Sequence, residues 1–186
     1  MNRTPIALEL PPAETLNPRV AAQIAAIISR SEMRQPVMLG VSDAAGELAP
    51  VLGLTAGSLR QRWLTGTYPR PDLWTGAAEG HRRQRFVRIP AAWIEDAMLS
   101  GPRAFTRPVP RTVIVRGLAN WPELMSLSTV AEALSAGKTS CRELMRSGLL
   151  GTVTELSGRP HIRKSALIDH LVRCIGAAVA SWKAGE

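Results

Sequence analysis

The chain has 186 residues, of which 45% are hydrophobic and 20% charged, and its formal net charge is +8. This length and hydrophobic content allow two packed cores of roughly 60 residues each. The two cysteines, Cys141 and Cys174, lack the CxxC and Cys/His spacings of disulfide frameworks and zinc sites, so we interpret both as small core residues. No secretory segment is predicted, since the best apolar stretch, 20–28, is short and contains Gln23. We therefore expect a cytoplasmic protein without a membrane span.

Residues 1–43 are predicted to form an N-terminal arm that contains one helix. Asn17 caps this helix and Pro18 occupies its first position. An apolar stripe then runs to about Arg30 and either covers the first domain or forms a dimer contact. The stripe consists of Val20, Ile24, Ile27 and Ile28. A connector from 36 to about 43 follows, with a short strand predicted at 37–40.

The rest of the chain contains an internal repeat. Residues 48–66 recur 82 positions later as 130–148, and each copy is predicted to be a short apolar helix, a tight turn and a second helix ending at Gly. The matched pairs include Leu48 and Val130, Leu52 and Leu134, Ser58 and Ser140, Arg60 and Arg142, Trp63 and Met145, and Gly66 and Gly148. A third segment, 88–98, recurs only 73 positions later, as 161–171. The first copy therefore carries nine extra residues between its second and third helices, where a loop tolerates insertion.

This pattern resembles the winged helix-turn-helix of the excisionase and MerR-type families, over about 47–99 and 127–175, or roughly half of the chain. The second copy departs by placing Arg163 where the first has Pro90, and Met145 where the first has Trp63. The resemblance implies a mostly α protein with small β-hairpin wings, in which two winged helix-turn-helix domains, 44–100 and 123–186, are joined by a Pro/Arg-rich linker, 101–122. It also implies sequence-specific binding of double-stranded DNA by a regulatory or architectural protein, in transcription, recombination, or plasmid or phage maintenance.

The positive charge is concentrated in three stretches. Residues 60–88 carry +5, residues 138–164 carry +4 and residues 103–116 carry +4, so the remainder of the chain carries −5. Cations placed on second helices, wings and linker suit contact with phosphate groups. A solvated basic face that binds nothing is the alternative interpretation.

The second helix of each copy is the predicted recognition helix. In the first, Leu59 and Trp63 point to the core, so Gly57, Ser58, Gln61 and Thr65 lie on the opposite face with Arg60 and Arg62 beside them. In the second, Cys141 and Met145 point inward, and the outward side consists of Lys138, Thr139, Ser140, Arg142, Glu143 and Arg146. We predict that Gln61 reads adenine and that Glu143 accepts a hydrogen bond from cytosine. Plain solvent exposure is the alternative for each.

The wings add further predicted contacts with DNA. In the first wing, 76–80 forms the tip, and the returning strand is rich in donors that suit the backbone or the minor groove. Its predicted contacts are Arg82, Arg83, Arg85 and Arg88. In the second wing, Ser157 and Gly158 form the tip, and the predicted contacts are Arg159, His161, Arg163 and Lys164.

The linker and the last helix complete the sequence. Prolines at 102, 108 and 110 predict an extended tether over 101–111, followed by a short strand at 112–115. The last helix is predicted from 165 to about 183, longer than its counterpart in the first copy. Its apolar stripe is available to pair with another surface and consists of Leu167, Leu171, Cys174, Ala178 and Trp182.

No catalytic function, cofactor or metal is expected. The segment 136–140 resembles the end of a phosphate-binding loop, but Glu132 stands where that motif requires its first Gly. No Ser/His/Asp arrangement or pair of carboxylates on a common face is found. The alternative to DNA binding is an adaptor that binds a protein through its apolar terminal helices. RNA binding is disfavoured, because Trp63 and Trp93 fall on core faces and few aromatics remain to stack on bases. The expected partners are double-stranded DNA, a second copy through the terminal helices, and a recombinase or polymerase.

Overall fold

The computed structural model describes residues 34–74 and 85–185, without the side chains of residues 72, 74, 85, 86 and 102. The helix predicted over 17–30 and the wing tip predicted at 76–80 lie outside the described residues. Within them the chain is mostly helical, with two small antiparallel sheets. None of the described helices combines the length and apolar character needed to cross a membrane.

The first repeat is a three-stranded sheet with three helices. Its elements are β1 (Met38–Gly40), α1 (Val41–Leu52), α2 (Ala56–Leu64), β2 (Asp72–Trp74), β3 (Arg85–Pro90) and α3 (Ala91–Ser100). The sheet order is β1-β3-β2, and Leu39 of β1 lies opposite Ile89 of β3. The strand predicted at 37–40 is thereby confirmed, and it joins the arm segment to the sheet of the first repeat.

The second repeat has the same order of elements. They are β4 (Leu124–Ser126), α5 (Leu127–Ala133), α6 (Lys138–Arg146), β5 (Thr154–Leu156), β6 (Arg159–Arg163) and α7 (Lys164–Ala184). The sheet order is β4-β6-β5, and Met125 lies opposite Ile162. Ile162 is the residue 73 positions after Ile89, so the two sheets share both topology and register.

Backbone conformation repeats along with topology. Gly53 and Ser135, 82 positions apart, both adopt left-handed conformations at the end of the first helix, with φ of 67° and 49°. At the end of the second helix, Gly66 and Gly148 repeat this behaviour with φ of 80° and 74°. These turns require positive φ, which glycine adopts without a Cβ clash. The repeat read in the sequence is therefore also a repeat of turn geometry.

The nine-residue difference between the copies lies in the β-hairpins. Ser157 and Gly158, which connect β5 to β6, have φ of 52° and 69°, as a tight two-residue hairpin turn requires. In the first repeat β2 and β3 are separated by residues 75–84. The prediction that the insertion falls between the second and third helices, in the hairpin, is confirmed.

The linker is folded, so the prediction of an extended tether over 101–111 is wrong. Residues Gly101–Thr106 form a 3-10 helix, and α4 (Arg111–Gly117) replaces the strand predicted at 112–115. Proline is compatible with the start of a helix: Pro102 stands in the first turn of the 3-10 helix, and Pro110 is the N-cap residue of α4. The 3-10 helix is held in place by Phe105, which is fully buried.

An aromatic cluster fixes the linker to the first repeat. The Phe105 ring lies 5.8 Å from the ring of Trp63 and 6.1 Å from that of Trp93, both edge to face, and stacks on Tyr68 at 4.9 Å. Trp93 Nε1 also donates a hydrogen bond to the Arg107 carbonyl at 3.0 Å. The linker is therefore part of the core and carries the second repeat in a fixed position.

The two repeats share one continuous hydrophobic core. The backbone N–H of Val37 donates to the Ala133 carbonyl at 2.9 Å, which ties the start of the first sheet to the end of α5. On the other side of the interface, α7 packs against β2, the 3-10 helix and α4. Because α7 has 21 residues and α3 has 10, the extra turns of α7 reach across the first repeat.

Candidate nucleic-acid interface

The first candidate recognition helix, α2, is positioned by its buried side. Leu59 and Trp63 have no exposed surface, as their spacing of four residues predicts. Thr55 caps the helix, its side chain accepting a hydrogen bond from the backbone N–H of Ser58 at 3.1 Å. The packed side and the cap together fix which residues face solvent.

The solvent side of α2 carries the predicted contacts. Ser58, Arg60, Gln61 and Arg62 are all exposed. The Arg62 guanidinium lies 5.8 Å from the centre of the Tyr68 ring, whereas no described residue binds the side chains of Arg60 and Gln61. The helix contains no acidic residue. Both charge and hydrogen-bonding groups are thus available to a ligand that approaches this side.

The second candidate recognition helix, α6, is arranged in the same way. Cys141, Leu144 and Met145 are buried, which confirms the inward positions predicted for Cys141 and Met145. Burial raises the pKa of the Cys141 thiol to about 11, so this cysteine is a neutral core residue. The outward residues divide into exposed Lys138, Thr139, Arg142 and Arg146 and half-buried Ser140 and Glu143.

The second hairpin places basic side chains on one face of its sheet. Alternation along β6 buries Ile162 and leaves Arg159 and Arg163 exposed. His161 lies between these two arginines on the same face of β6 and is half-buried. Its Nδ1 lies 2.9 Å from the Arg159 carbonyl of the same hairpin. Two of the four predicted contacts of this wing are therefore fully available, and His161 is partly available.

Two predicted contacts are used inside the protein instead. Arg88 is half-buried, and its Nε donates to the Leu134 carbonyl of the second repeat at 3.1 Å. Desolvation by burial lowers the pKa of its guanidinium. Lys164, with a side chain only 14% exposed, donates to the Trp121 carbonyl at 3.0 Å and pairs with Glu123 at 2.7 Å. Since both cations satisfy internal partners, we leave them out of the candidate interface.

The remaining predicted contacts belong to the first hairpin. Arg82 and Arg83 lie outside the described residues, and Arg85 is described only as the first backbone position of β3. The described candidate interface therefore combines one side of α2, one side of α6 and the outer face of β6. We call this set the contact residues, namely Ser58, Arg60, Gln61, Arg62, Lys138, Thr139, Ser140, Arg142, Glu143, Arg146, Arg159, His161 and Arg163.

The ends of α2 and α6 approach a common groove of about 900 Å³. Its walls come from the loop after α2, residues 66–70, from Leu149 after α6, and from the C-terminal half of α7. The segments that follow the two candidate recognition helices thus line the same groove beside α7.

His170 of α7 also lines this groove, and it has a partner that the sequence did not reveal. The residue is only 4% exposed, and its Nε2 lies 3.5 Å from the Sγ of Cys174, one helical turn away. Burial, together with the smaller effect of the nearby Arg173 charge, lowers the pKa of His170 to about 4. Among the described residues, no three His, Cys, Asp or Glu side chains come together as metal ligands would.

No family model, curated protein or solved structure matches this chain.

Proposed function

We propose that this protein binds double-stranded DNA in a sequence-specific way through α2 and α6, and that it acts as a regulatory or architectural factor. The observation that carries the proposal is the repetition of one β-α-α-β-β-α unit, in which the second helix of each copy turns a basic side to solvent. A helix of this kind suits the major groove, and a hairpin after it suits the backbone or the minor groove.

Exposure of the cations supports the proposal independently of the element order. Arg60 and Arg62 on α2, and Lys138, Arg142 and Arg146 on α6, are all exposed. Positive charges that lie in water near one another attract phosphate groups and release counterions on binding. Arg88 and Lys164 do not contribute, because each is engaged within the protein.

For the adaptor alternative only the last helix can be compared with expectation, because the helix predicted at 17–30 lies outside the described residues. That alternative requires the apolar stripe of the last helix to be free for a partner. In the structure Leu167 and Leu171 of the predicted stripe are buried, whereas Cys174, Ala178 and Trp182 are half-buried. This helix packs against α4, its own strand β6, β2 and the 3-10 helix of the same chain.

The proposal leaves the biological process open between transcription, recombination, and plasmid or phage maintenance. The protein partner would be a recombinase in recombination or a polymerase in transcription. A second copy of this chain is a further candidate partner. We propose a cytoplasmic location at the nucleoid, and neither a cofactor nor an enzymatic reaction is part of the proposal.

Fluorescence anisotropy with labelled nucleic acids tests the proposal. We expect random-sequence duplex DNA to bind more tightly than single-stranded RNA of equal length, with an affinity that falls steeply as salt is raised. The double variant R60A/R142A should weaken binding more than R103A/K183A, which makes the same change in net charge by removing two exposed cations outside α2 and α6. Equal affinity for RNA, or equal loss in both double variants, would overturn the proposal.

A further inference from the structure

We propose that the two repeats read half-sites arranged in tandem, in the same direction along one duplex, at a single fixed spacing. This inference rests on the proposed function, and it concerns the arrangement of the DNA site rather than DNA binding as such. It follows from the way in which the two repeats contact each other.

The contacts between the two repeats are not reciprocal: each repeat uses a different element. The first repeat uses its sheet, through the Val37 N–H and the Arg88 guanidinium, to bind the carbonyls of Ala133 and Leu134 at the end of α5. The second repeat uses a different element, α7, to pack on β2 and on the linker. Each repeat therefore presents a different surface to the other.

A two-fold relation between the repeats would require each contact to occur twice. The residue equivalent to Val37 is Glu123, because both accept the backbone N–H that begins the third helix, from Ala91 at 3.1 Å and from Lys164 at 2.8 Å. Within the described residues, the Glu123 N–H makes no backbone hydrogen bond to α1, which is the equivalent of α5. The reciprocal of the first contact is therefore absent.

The second contact is not reciprocated either. His161 occupies the position equivalent to Arg88, 73 residues later, but its Nδ1 contacts the carbonyl of Arg159 in its own hairpin. The short α3 packs on α1, β3 and the 3-10 helix, where α7 instead extends over the other repeat. The described contacts are consequently those of a head-to-tail interface.

Duplex DNA restricts what a head-to-tail pair can read. Two similar domains that dock in the same way on a regular duplex are related either by a two-fold axis across the DNA or by a step along its helix. A two-fold axis gives inverted half-sites, as in symmetric dimers. Since the described contacts lack the reciprocity that a two-fold axis requires, they favour the step along the helix, which gives half-sites in the same direction.

The half-sites should differ in sequence and keep one spacing. Gln61 and Glu143 stand at equivalent positions, 82 residues apart, and an amide and a carboxylate favour different base edges. The spacing is fixed because Phe105 holds the linker in the core and the repeats bond directly to each other. The proposed site is therefore a pair of unlike half-sites at one separation.

Selection of bound duplexes from a random pool, followed by rearrangement of the recovered site, tests this inference. The variants Q61A and E143Q assign each half of the recovered motif to one repeat. Duplexes are then made with the second half-site in its original direction, inverted, or shifted by half a helical turn. We expect inversion and shifting each to weaken binding about 10²-fold or more, because only one repeat can then reach its half-site.

The outcomes separate the two proposals. Equal or tighter binding to the inverted arrangement, or indifference to the spacing, would overturn the tandem inference while leaving DNA binding intact. A pool that yields no enriched sequence and no duplex binding would overturn the proposed function. A selected motif with a two-fold axis would also exclude the tandem arrangement.

Discussion

Gln61 and Glu143 are the residues on which sequence specificity is expected to depend. Gln61 is exposed on α2, and Glu143 is half-buried on α6. Replacing Gln61 with Ala should relax the preference at one base pair, at a cost of about 1 to 3 kcal/mol on the selected duplex. The measurement is anisotropy on that duplex and on its single-base variants, with T112A on α4 as an exposed control. An equal loss on selected and random DNA would contradict a base-reading role.

His170 should make stability depend on pH in a defined window. Its pKa is about 4 in the folded protein because it is buried, and about 6.5 when unfolded. The unfolded chain therefore binds the proton first as pH falls. Stability from this residue is fully present above pH 6.5 and is lost as pH falls toward 4, by on the order of 3 kcal/mol.

Urea unfolding between pH 4 and 7.5 measures this dependence. The variant H170Q should flatten the curve in that window whatever its absolute stability. The matched control H161Q, which removes a half-buried histidine from the second hairpin, should keep the slope of the unchanged protein. A slope that survives in H170Q would show that another group carries the pH dependence.

Side-chain direction could be predicted for some residues and not for others. Spacing alone gave the inward positions of Leu59, Trp63, Cys141 and Met145, because the period of a helix determines which residues share a face. Spacing could not reveal that Arg88 reaches the carbonyl of Leu134, 46 residues away, since the sequence pattern does not contain that acceptor. Charge density predicts cations, but it does not predict which of them are already bound.

At the scale of elements, α6 offers a direct test of phosphate contact. Arg142 is exposed on α6, and Lys183 is exposed at the end of α7. Replacing Arg142 with Ala should weaken binding on all sequences and reduce the slope of log affinity against log salt by about 0.9. K183A makes the same change in net charge and should leave the slope as it is. If both variants lower the slope equally, the effect reflects overall charge and not an interface on α6.

The linker is the element whose structure differs most from expectation, and its role in stability can be measured. Phe105 is fully buried among Trp63, Tyr68 and Trp93. Replacing it with Ala should cost about 3 to 5 kcal/mol of unfolding free energy. R103A, on the exposed side of the same 3-10 helix, should change stability little, and F105L should lose less than F105A. An unchanged midpoint in F105A would mean that the linker is detached from the core.

Element type followed from periodicity, but the linker and the end of α7 depended on distant packing. Prolines at 102, 108 and 110 indicate an extended chain when read locally. The aromatic cluster around Phe105 overrides that preference. Likewise, the stripe predicted through Cys174, Ala178 and Trp182 is only half-buried, and Ile175 and Val179 are buried instead. The start of α7 packs on its own sheet, and the later turns pack on β2 and the 3-10 helix instead.

At the scale of the whole molecule, two copies of one fold form a single body. The sequence established the repeat, the matching turns and the hairpin insertion, because each is a local pattern that recurs at a constant offset. It could not give the relation between the copies. That relation depends on hydrogen bonds from Val37 and Arg88 to the end of α5 and on the length of α7.

The central claim is that α2 and α6 bind DNA together, and NMR titration of the ¹⁵N-labelled protein with the selected duplex tests it most directly. We expect the amide signals of Ala56–Leu64 and Lys138–Arg146 to shift in parallel and to saturate at the same DNA concentration. The signals of α3 and of the exposed side of α4 should remain unshifted. Shifts confined to one repeat, or confined to α4 and α7, would contradict the account.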